Sequence, residues 1–311
     1  MNTFENIQKF KIKIFQKKLI SICVFFIVSI YLIGIFAPLI ATHDYNSIDL
    51  YNTQNSPSKE NILGTDKLGR DIFSRVVWGI QTTVIITFTT LFTGTLLLGV
   101  SMGLISGYFR GKTDIFVMRL GEIVSSFPEI FLIILLAATI RPRIVNFIYN
   151  IEDKFNLSGL ANSGIIDYFV VGIALLPLSW FGTMRLIRGQ VLIVRELEYI
   201  QASQAMGTSN FRIIFFHVLP NVISPVIVSA SFGIGAIALS EVVLSFFGIG
   251  VQPPKPSLGV MINDVTSRGA TSVSVLRDHP EQLLPPIIII WILILSWNVV
   301  GDYINEKINP R

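Results

Sequence analysis

The sequence predicts an all-α membrane protein with six transmembrane helices. Of its 311 residues, 51% are hydrophobic and only 14% are charged, and the mean hydropathy is +0.65. A water-soluble fold of this composition would leave too much apolar surface exposed. Six stretches are apolar over about 20 residues, the length that a helix needs to cross a bilayer. They are residues 19–41, 83–109, 115–140, 165–187, 222–250 and 284–301.

The first apolar stretch predicts an uncleaved membrane anchor, because it is longer than the apolar part of a signal peptide, which has about 7–15 residues. It contains Cys23, the only cysteine of the chain, so a disulfide within the chain is excluded. Basic residues favour the cytoplasmic side of a membrane, and those next to the first helix usually dominate. Both termini are therefore predicted to be cytoplasmic, with the lysines before the anchor inside: Lys9, Lys11, Lys13, Lys17 and Lys18.

These boundaries divide the chain into predicted segments. Residues 1–18 form a cytoplasmic N-terminal segment, 19–41 the first anchor, 42–82 an outer loop, 83–301 the transmembrane core and 302–311 a cytoplasmic C-terminus. Residues 70–78 are rich in large apolar side chains and predict an interfacial helix in the outer loop, with Trp78 at the depth of the headgroups. Lys67, Arg70 and the proline-rich stretch 252–257 are predicted to face outward, where they could contact an external partner.

Two features inside the spans suggest specific contacts. Gly99, Gly103 and Gly107 recur at every fourth position, which places them on one helix face and predicts close packing against another helix. Glu241 and Glu129 are carboxylates within predicted spans, where an ionisable group is costly and usually marks a pathway or a buried pair. We therefore expect Glu241 and Glu129 to lie either on a translocation path or in a buried interface.

The sequence contains partial matches to two enzyme motifs, and neither match is complete. SGYFRGKT at 106–113 has Ser106 where a P-loop needs its first glycine, and it follows an apolar helix instead of a strand. The S-x-x-K match at 56–59 lacks its companion motifs. The three histidines, His43, His217 and His279, lie on different segments, without cysteines or acids at metal-ligand spacing. We expect no catalytic residue, no cofactor and no metal bound by this chain.

A polar stretch, residues 196–219, interrupts the apolar spans and is named here the coupling segment. Its sequence predicts a short helix that stops at Gly207 in the left-handed conformation. Thr208 or Ser209 then caps a second helix, which ends at Pro220. The small side chains of the first helix suit docking into a groove of another protein. The alternative is a linker lying on lipid headgroups, but Arg212 is the only basic residue from 198 to 221, and this disfavours an anionic surface.

These residues resemble the permease subunits of binding-protein-dependent ABC importers. That family has an E-A-A pattern, three further residues and a glycine, then I-x-L-P. Here the pattern reads QAS at 201–203, Gly207 and HVLP at 217–220. Gln201 replaces the usual acid, and Glu129 follows Pro128 where a small or apolar residue is usual. The peptide/nickel group, C-type subunit, is indicated by LGTDKLGRDIFSRVVWG at 63–79, VRELEYIQASQAMG at 194–207, LSFFGIGVQPPKPSLG at 244–259 and WNVVGDYINEKINPR at 297–311.

The resemblance implies a fold like that of type I ABC importer permeases, in a bacterial inner membrane. It implies a heterodimer with a second permease, two ATP-binding cassette ATPase subunits that use ATP and Mg, and an extracytoplasmic peptide-binding protein. No nucleic acid partner is expected, and the membrane lipid surrounds the spans. The residues that it assigns to contact with the ATPase are Glu198, Gln201, Ala202, Ser203, Ala205, Gly207, Leu219 and Pro220.

The implied function is import of dipeptides or oligopeptides, and nickel or another small solute is the alternative cargo. A rival from another class is an ion-coupled secondary transporter with Glu241 and Glu129 as proton sites. Such transporters normally have inverted repeats with broken helices, and the sequence shows none. A third alternative is a membrane assembly scaffold without transport activity.

Overall fold

The structure, a computed structural model, describes residues 2–157, 159–266 and 276–308. Within these residues it consists of helices and loops, without a β-strand. Two of the long helices include a π-helical segment, Leu91–Val100 and Ile213–Val218, and a 3-10 turn, Ala161–Ser163, precedes the helix that begins at Ile165. The helices are α1 (Asn2–Ile35), α2 (Ala37–Ile40), α3 (Ile72–Phe109), α4 (Gly111–Ser125), α5 (Glu129–Phe155), α6 (Ile165–Val194), α7 (Glu198–Ala205), α8 (Asn210–Phe246), α9 (Leu258–Thr266) and α10 (Pro280–Ile308).

Among the described residues, six helices are long and apolar enough to cross a membrane, which confirms the predicted number. They are Lys17–Ile35 of α1, and α3, α5, α6, α8 and α10. Several predicted bounds are corrected. The anchor ends at Ile35 instead of 41, because Pro38 has no N–H to continue the helix. α8 ends at Phe246 instead of 250, just before Gly248 with its positive φ of 73°, and α10 extends beyond the predicted 284–301 at both ends.

The second span begins at Ile72 and not at 83, so the prediction of a separate interfacial helix at 70–78 is wrong. Asp71 is the N-cap, and its side chain accepts a hydrogen bond from the backbone N–H of Ser74 at 2.8 Å. Ile72 and Val76 are almost fully buried. These first turns therefore pack inside the bundle as a continuous part of the second span.

The third predicted span, residues 115–140, is wrong as a single helix. α4 ends at Ser125 and α5 begins at Glu129. Pro128 between them has no backbone N–H and disfavours a helical conformation at the residue before it. Because large apolar residues stand on both sides of this break, hydropathy alone does not reveal it.

Contacts with α6 identify the two ends of the bundle. Near the last turns of α6, Arg188 donates from Nη2 to Asp114 in α4 at 2.6 Å. In the first turn of α6, Asp167 accepts from Arg141 in α5 at 2.8 Å. Since α6 is continuous, α4 and the first half of α5 together run from one end to the other. We call the end that carries α7 the α7 end, and the end that carries loops 41–71 and 247–257 the loop end.

α3 and α6 are in close contact through the predicted glycines. Added Cβ atoms at Gly99, Gly103 and Gly107 would lie 3.0, 2.8 and 2.7 Å from the Cβ atoms of Thr183, Ile187 and Val191. They would also lie 2.9–3.0 Å from backbone carbonyl oxygens of α6. The structure thus places all three glycines on the α3 face that touches α6, where any side chain would push the two helices apart.

Candidate functional site

α7, the first helix of the coupling segment, is held against the bundle by one face. Ile200 is fully buried in an apolar cluster with Tyr108 and Val194. The Tyr108 hydroxyl donates to Oδ1 of Asn210 at 2.9 Å and accepts from Nε2 of Gln204 at 3.2 Å. Tyr108, at the end of α3, therefore ties α7 to the start of α8.

The other face of α7 is exposed. It presents Glu198, Gln201, Ala202 and Ala205, and Met206 after the helix is 78% exposed. The side chains at the centre of this face, Gln201, Ala202 and Ala205, are uncharged, and the two alanines are small. The predicted contact residue Ser203 lies instead on the inner face, where it is buried and donates its hydroxyl to the Tyr199 carbonyl at 2.8 Å.

Gly207 ends α7 as the sequence predicts. Its φ is +77°, in the left-handed region, and the backbone forms a Schellman motif: Thr208 N–H donates to Ser203 O at 3.1 Å and Gly207 N–H to Gln204 O at 3.0 Å. Ser209 occupies the N-cap of α8, but its side chain makes no capping hydrogen bond. The corner thus depends on the glycine conformation and not on the predicted hydroxyl cap.

Leu219 and Pro220 lie within α8, so the prediction that Pro220 ends the second helix is wrong. The preceding turns are π-helical from Ile213 to Val218, and this wider winding lets the helix pass a residue that lacks an N–H. Leu219 lines an apolar cavity of about 560 Å³ between α3 and α8, together with Phe211 and Phe215. The structure therefore separates these two residues from the exposed face of α7.

Glu241 lies in the buried interface between α3 and α8. It has no exposed surface. Its Oε2 accepts a hydrogen bond from the Thr83 hydroxyl at 2.9 Å, and its Oε1 accepts one from the Ser245 hydroxyl at 2.9 Å. Both carboxylate oxygens thus have protein donors, and the residue links two membrane helices.

Glu129, in contrast, is exposed at the first turn of α5. It lines a cavity of about 210 Å³ between α3, α6 and α8, named here the polar cavity. Other wall residues carry hydroxyl groups: Thr95, Ser179, Thr183, Ser229 and Ser240. Of the two predicted carboxylates, Glu129 faces open space within the bundle.

At the α7 end, an ion pair not anticipated from the sequence fixes α4. Besides Arg188, Asp114 accepts a hydrogen bond from the Ser106 hydroxyl at 2.5 Å. The hydrogen bond from Arg188 is the main reason that the pKa of Asp114 lies below its ordinary value of 3.8. Ser106 belongs to the near-match to a P-loop at 106–113 and Asp114 directly follows it, so these polar residues have a structural role in the turn.

At the loop end, Arg70 does not face outward as predicted. It is 8% exposed and pairs with Asp66 at 2.7 Å and with Asp264 of α9 at 3.3 Å. The same two carboxylates pair with Arg75, at 3.7 and 3.3 Å. A signal was present in the sequence, because two arginines so close to an apolar helix need acidic partners.

The proline-rich stretch 252–257 is packed onto the start of α3. Lys255 Nζ lies 4.6 Å from the ring centre of Trp78 and 5.3 Å from that of Tyr45. Burial lowers the pKa of Lys255. The Thr82 hydroxyl donates to the Pro256 carbonyl at 2.9 Å. Trp78 thus contacts a cation of the same chain.

Comparison with known proteins identifies the family. Residues 99–311 match the family described as binding-protein-dependent transport system inner membrane component, and residues 7–57 match the N-terminal TM domain of oligopeptide transport permease C. The chain belongs to the binding-protein-dependent permease family. It is a multi-pass protein of the inner membrane, and the expected resemblance is confirmed.

Curated relatives of this permease are similar over most of their length. The dipeptide transport system permease protein of Alkalihalophilus pseudofirmus is 33% identical over 95% of this chain and 87% of its own. The oligopeptide transport system permease protein of Bacillus subtilis is 32% identical over the same shares. A glutathione transport system permease protein of Pectobacterium atrosepticum is 30% identical over 86% of this chain and 78% of its own.

Proposed function

We propose that this permease is the transmembrane subunit of an ATP-driven importer of dipeptides or oligopeptides. It forms the translocation path with a different second permease, and an extracytoplasmic peptide-binding protein delivers the cargo at the loop end. Its relatives named for dipeptide, oligopeptide and glutathione transport support a peptide cargo, since these solutes share peptide bonds. The loop end is accordingly outside, and the α7 end is cytoplasmic.

We assign ATP and Mg to two ATPase subunits that dock on α7, while this chain binds no cofactor and catalyses no reaction. The exposed small-residue face of α7 carries this assignment. Its buried face is fixed to α3 and α8 through Ile200 and Tyr108, so a displacement of α7 moves the ends of two membrane helices. ATP-driven closure of the ATPase pair would thereby rock the spans as rigid bodies.

The test uses the whole complex, with the chain co-expressed with a second permease, the ATPase subunits and a peptide-binding protein. Ala202→Arg and Ala205→Arg place a long charged side chain on the exposed face of α7. We expect uptake of radiolabelled trialanine to fall to background and less ATPase to co-purify. Thr113→Arg is the matched control, because Thr113 is exposed at the same end but outside α7, and it should leave both readouts unchanged.

Two outcomes would overturn the proposal. Normal uptake by both Ala202→Arg and Ala205→Arg would mean that the exposed face of α7 is not the contact with the ATPase. Uptake by the wild-type complex that persists without ATP and collapses when the proton gradient is dissipated would indicate an ion-coupled transporter instead.

A further inference from the structure

We propose that the polar cavity binds a positively charged group of the transported solute, an ammonium or guanidinium group, part-way across the membrane. The inference rests on the proposed importer function and adds a chemical preference to it. Four observations carry it: the charge at the cavity wall, the polar groups around that charge, the depth of the cavity and its size.

Glu129 supplies the charge. Among the described residues that line the cavity, it is the only ionisable one, and its carboxylate has no ion-pair or hydrogen-bond partner in the described part of the chain. Glu122, the acidic residue nearest to Glu129 along the chain, does have an ion-pair partner, since it lies 2.9 Å from Arg119. A carboxylate without an ion-pair partner attracts a cation electrostatically.

Hydroxyl groups line the same cavity as Glu129. The Thr183 and Ser229 hydroxyls lie 2.8 Å apart and join α6 to α8. The Thr95 hydroxyl, in the π-helical segment of α3, donates to the Ser179 carbonyl at 3.2 Å. Hydroxyl oxygens accept hydrogen bonds from N–H groups, so the walls suit an ammonium group that carries several donors.

The cavity lies at mid-depth in the bundle. Its walls come from the central parts of three spans, with Thr95 in α3, Ser179 in α6 and Gly233 in α8. Substrate sites of membrane transporters commonly lie near the bilayer midplane.

The size limits what can bind. A complete site for a drug-sized ligand has about 300–1,000 Å³, and this cavity has about 210 Å³. It can therefore hold one charged end or one side chain of a peptide. The rest of the peptide would lie in the space shared with the second permease.

The experiment measures uptake of three radiolabelled peptides by the full complex: Ala-Ala-Ala, N-acetyl-Ala-Ala-Ala and Ala-Lys-Ala. The variant is Glu129→Gln, which removes the charge and keeps the shape. For each peptide, the variant's uptake is divided by that of the wild type at equal membrane abundance. Glu122→Gln is the matched control, and Glu129→Asp tests whether a carboxylate alone restores transport.

If the α-ammonium group is the ligand, Glu129→Gln lowers uptake of the two free peptides about tenfold and spares the acetylated one. If the lysine side chain is the ligand, only Ala-Lys-Ala uptake falls. Either pattern, with recovery in Glu129→Asp, supports the inference. An equal fall for all three peptides, or no fall, overturns it. Absence of uptake by the wild type would overturn the importer function itself and is thus distinguishable.

Discussion

The glycines of α3 are the clearest case in which single residues set a helix-to-helix distance. A methyl group at Gly103 would lie 2.8 Å from Ile187 Cβ and 2.9 Å from the Met184 carbonyl oxygen. Neither neighbour can move without shifting the backbone of α6. Because α3 and α6 form one wall of the polar cavity, this contact also positions the residues of the proposed cation site.

Gly103→Ala should therefore destabilise the protein by about 1–3 kcal/mol, the usual cost of overpacking. The measurement is the thermal unfolding temperature of the purified protein in detergent. Gly189→Ala is the matched control in α6, since an added Cβ there meets nothing within 4 Å. An equal unfolding temperature for both variants would contradict the close contact.

Asp114 provides a second prediction for a single residue. Its pKa lies below the ordinary value of 3.8, first because of the hydrogen bond from Arg188. A depressed pKa stabilises the folded state above the ordinary pKa, and that contribution is lost as the pH falls through the folded value. Asp114→Asn should therefore lower the unfolding temperature at pH 6, and the difference from wild type should shrink below pH 3.8. A difference that is independent of pH would contradict the ion pair.

At the scale of elements, α7 and its corner decide how a docked partner could move the spans. Gly207 has a φ of +77°, and an added Cβ would meet nothing within 4 Å. A larger side chain at position 207 would therefore meet no neighbour, and only the left-handed backbone conformation disfavours it. A residue other than glycine in the left-handed region costs about 1–2 kcal/mol.

Gly207→Val should reduce peptide uptake several-fold by weakening the corner, while Gly207→Asn should retain most of it, because asparagine tolerates the left-handed conformation. The measurement is trialanine uptake at equal membrane abundance. If both variants transport equally, the corner conformation is not needed for coupling.

The sequence predicted the elements that depend on local chemistry and missed those that depend on packing. Small residues followed by a glycine predicted a short helix, a corner at Gly207 and a second helix, and the structure contains these three elements in that order. The sequence predicted a helix at 70–78 but not its continuity with the second span, because Arg75 interrupts the apolar pattern; in the structure this side chain is buried and paired with Asp66 and Asp264. The passage of α8 through Pro220 was missed because only the structure reveals the π-helical turns before it.

For the whole molecule, the six spans were predictable, but the placement of polar groups among them was not. Glu129 and Glu241 are alike in the sequence, since each is one acid in an apolar stretch. Packing gives Glu241 two hydroxyl donors and leaves Glu129 on a cavity. Such a difference depends on which helices become neighbours, and a single sequence does not contain that information.

The loop end shows how distant segments are joined into one body. Asp66 in the outer loop and Asp264 in α9 share Arg70 and Arg75, and Nη1 of Arg75 is buried without a partner. Within the part of the chain that the structure describes, these two carboxylates are the ion-pair partners of both arginines. Removing one carboxylate leaves a buried cation with incomplete compensation, which is more costly than losing an exposed pair.

Asp264→Asn should accordingly destabilise the protein by about 2–4 kcal/mol, measured as a lower unfolding temperature in detergent. Asp153→Asn, at an exposed position of α5, is the control and should change it little. The effect should also reach the rest of the loop end, because α9 follows the proline-rich stretch 252–257 directly. Loosening α9 should free Lys255 from the ring of Trp78, so the tryptophan fluorescence of the folded variant should shift relative to wild type. An unchanged unfolding temperature would mean that solvent or Asp66 alone compensates both arginines, and α9 would then be held by its apolar contacts alone.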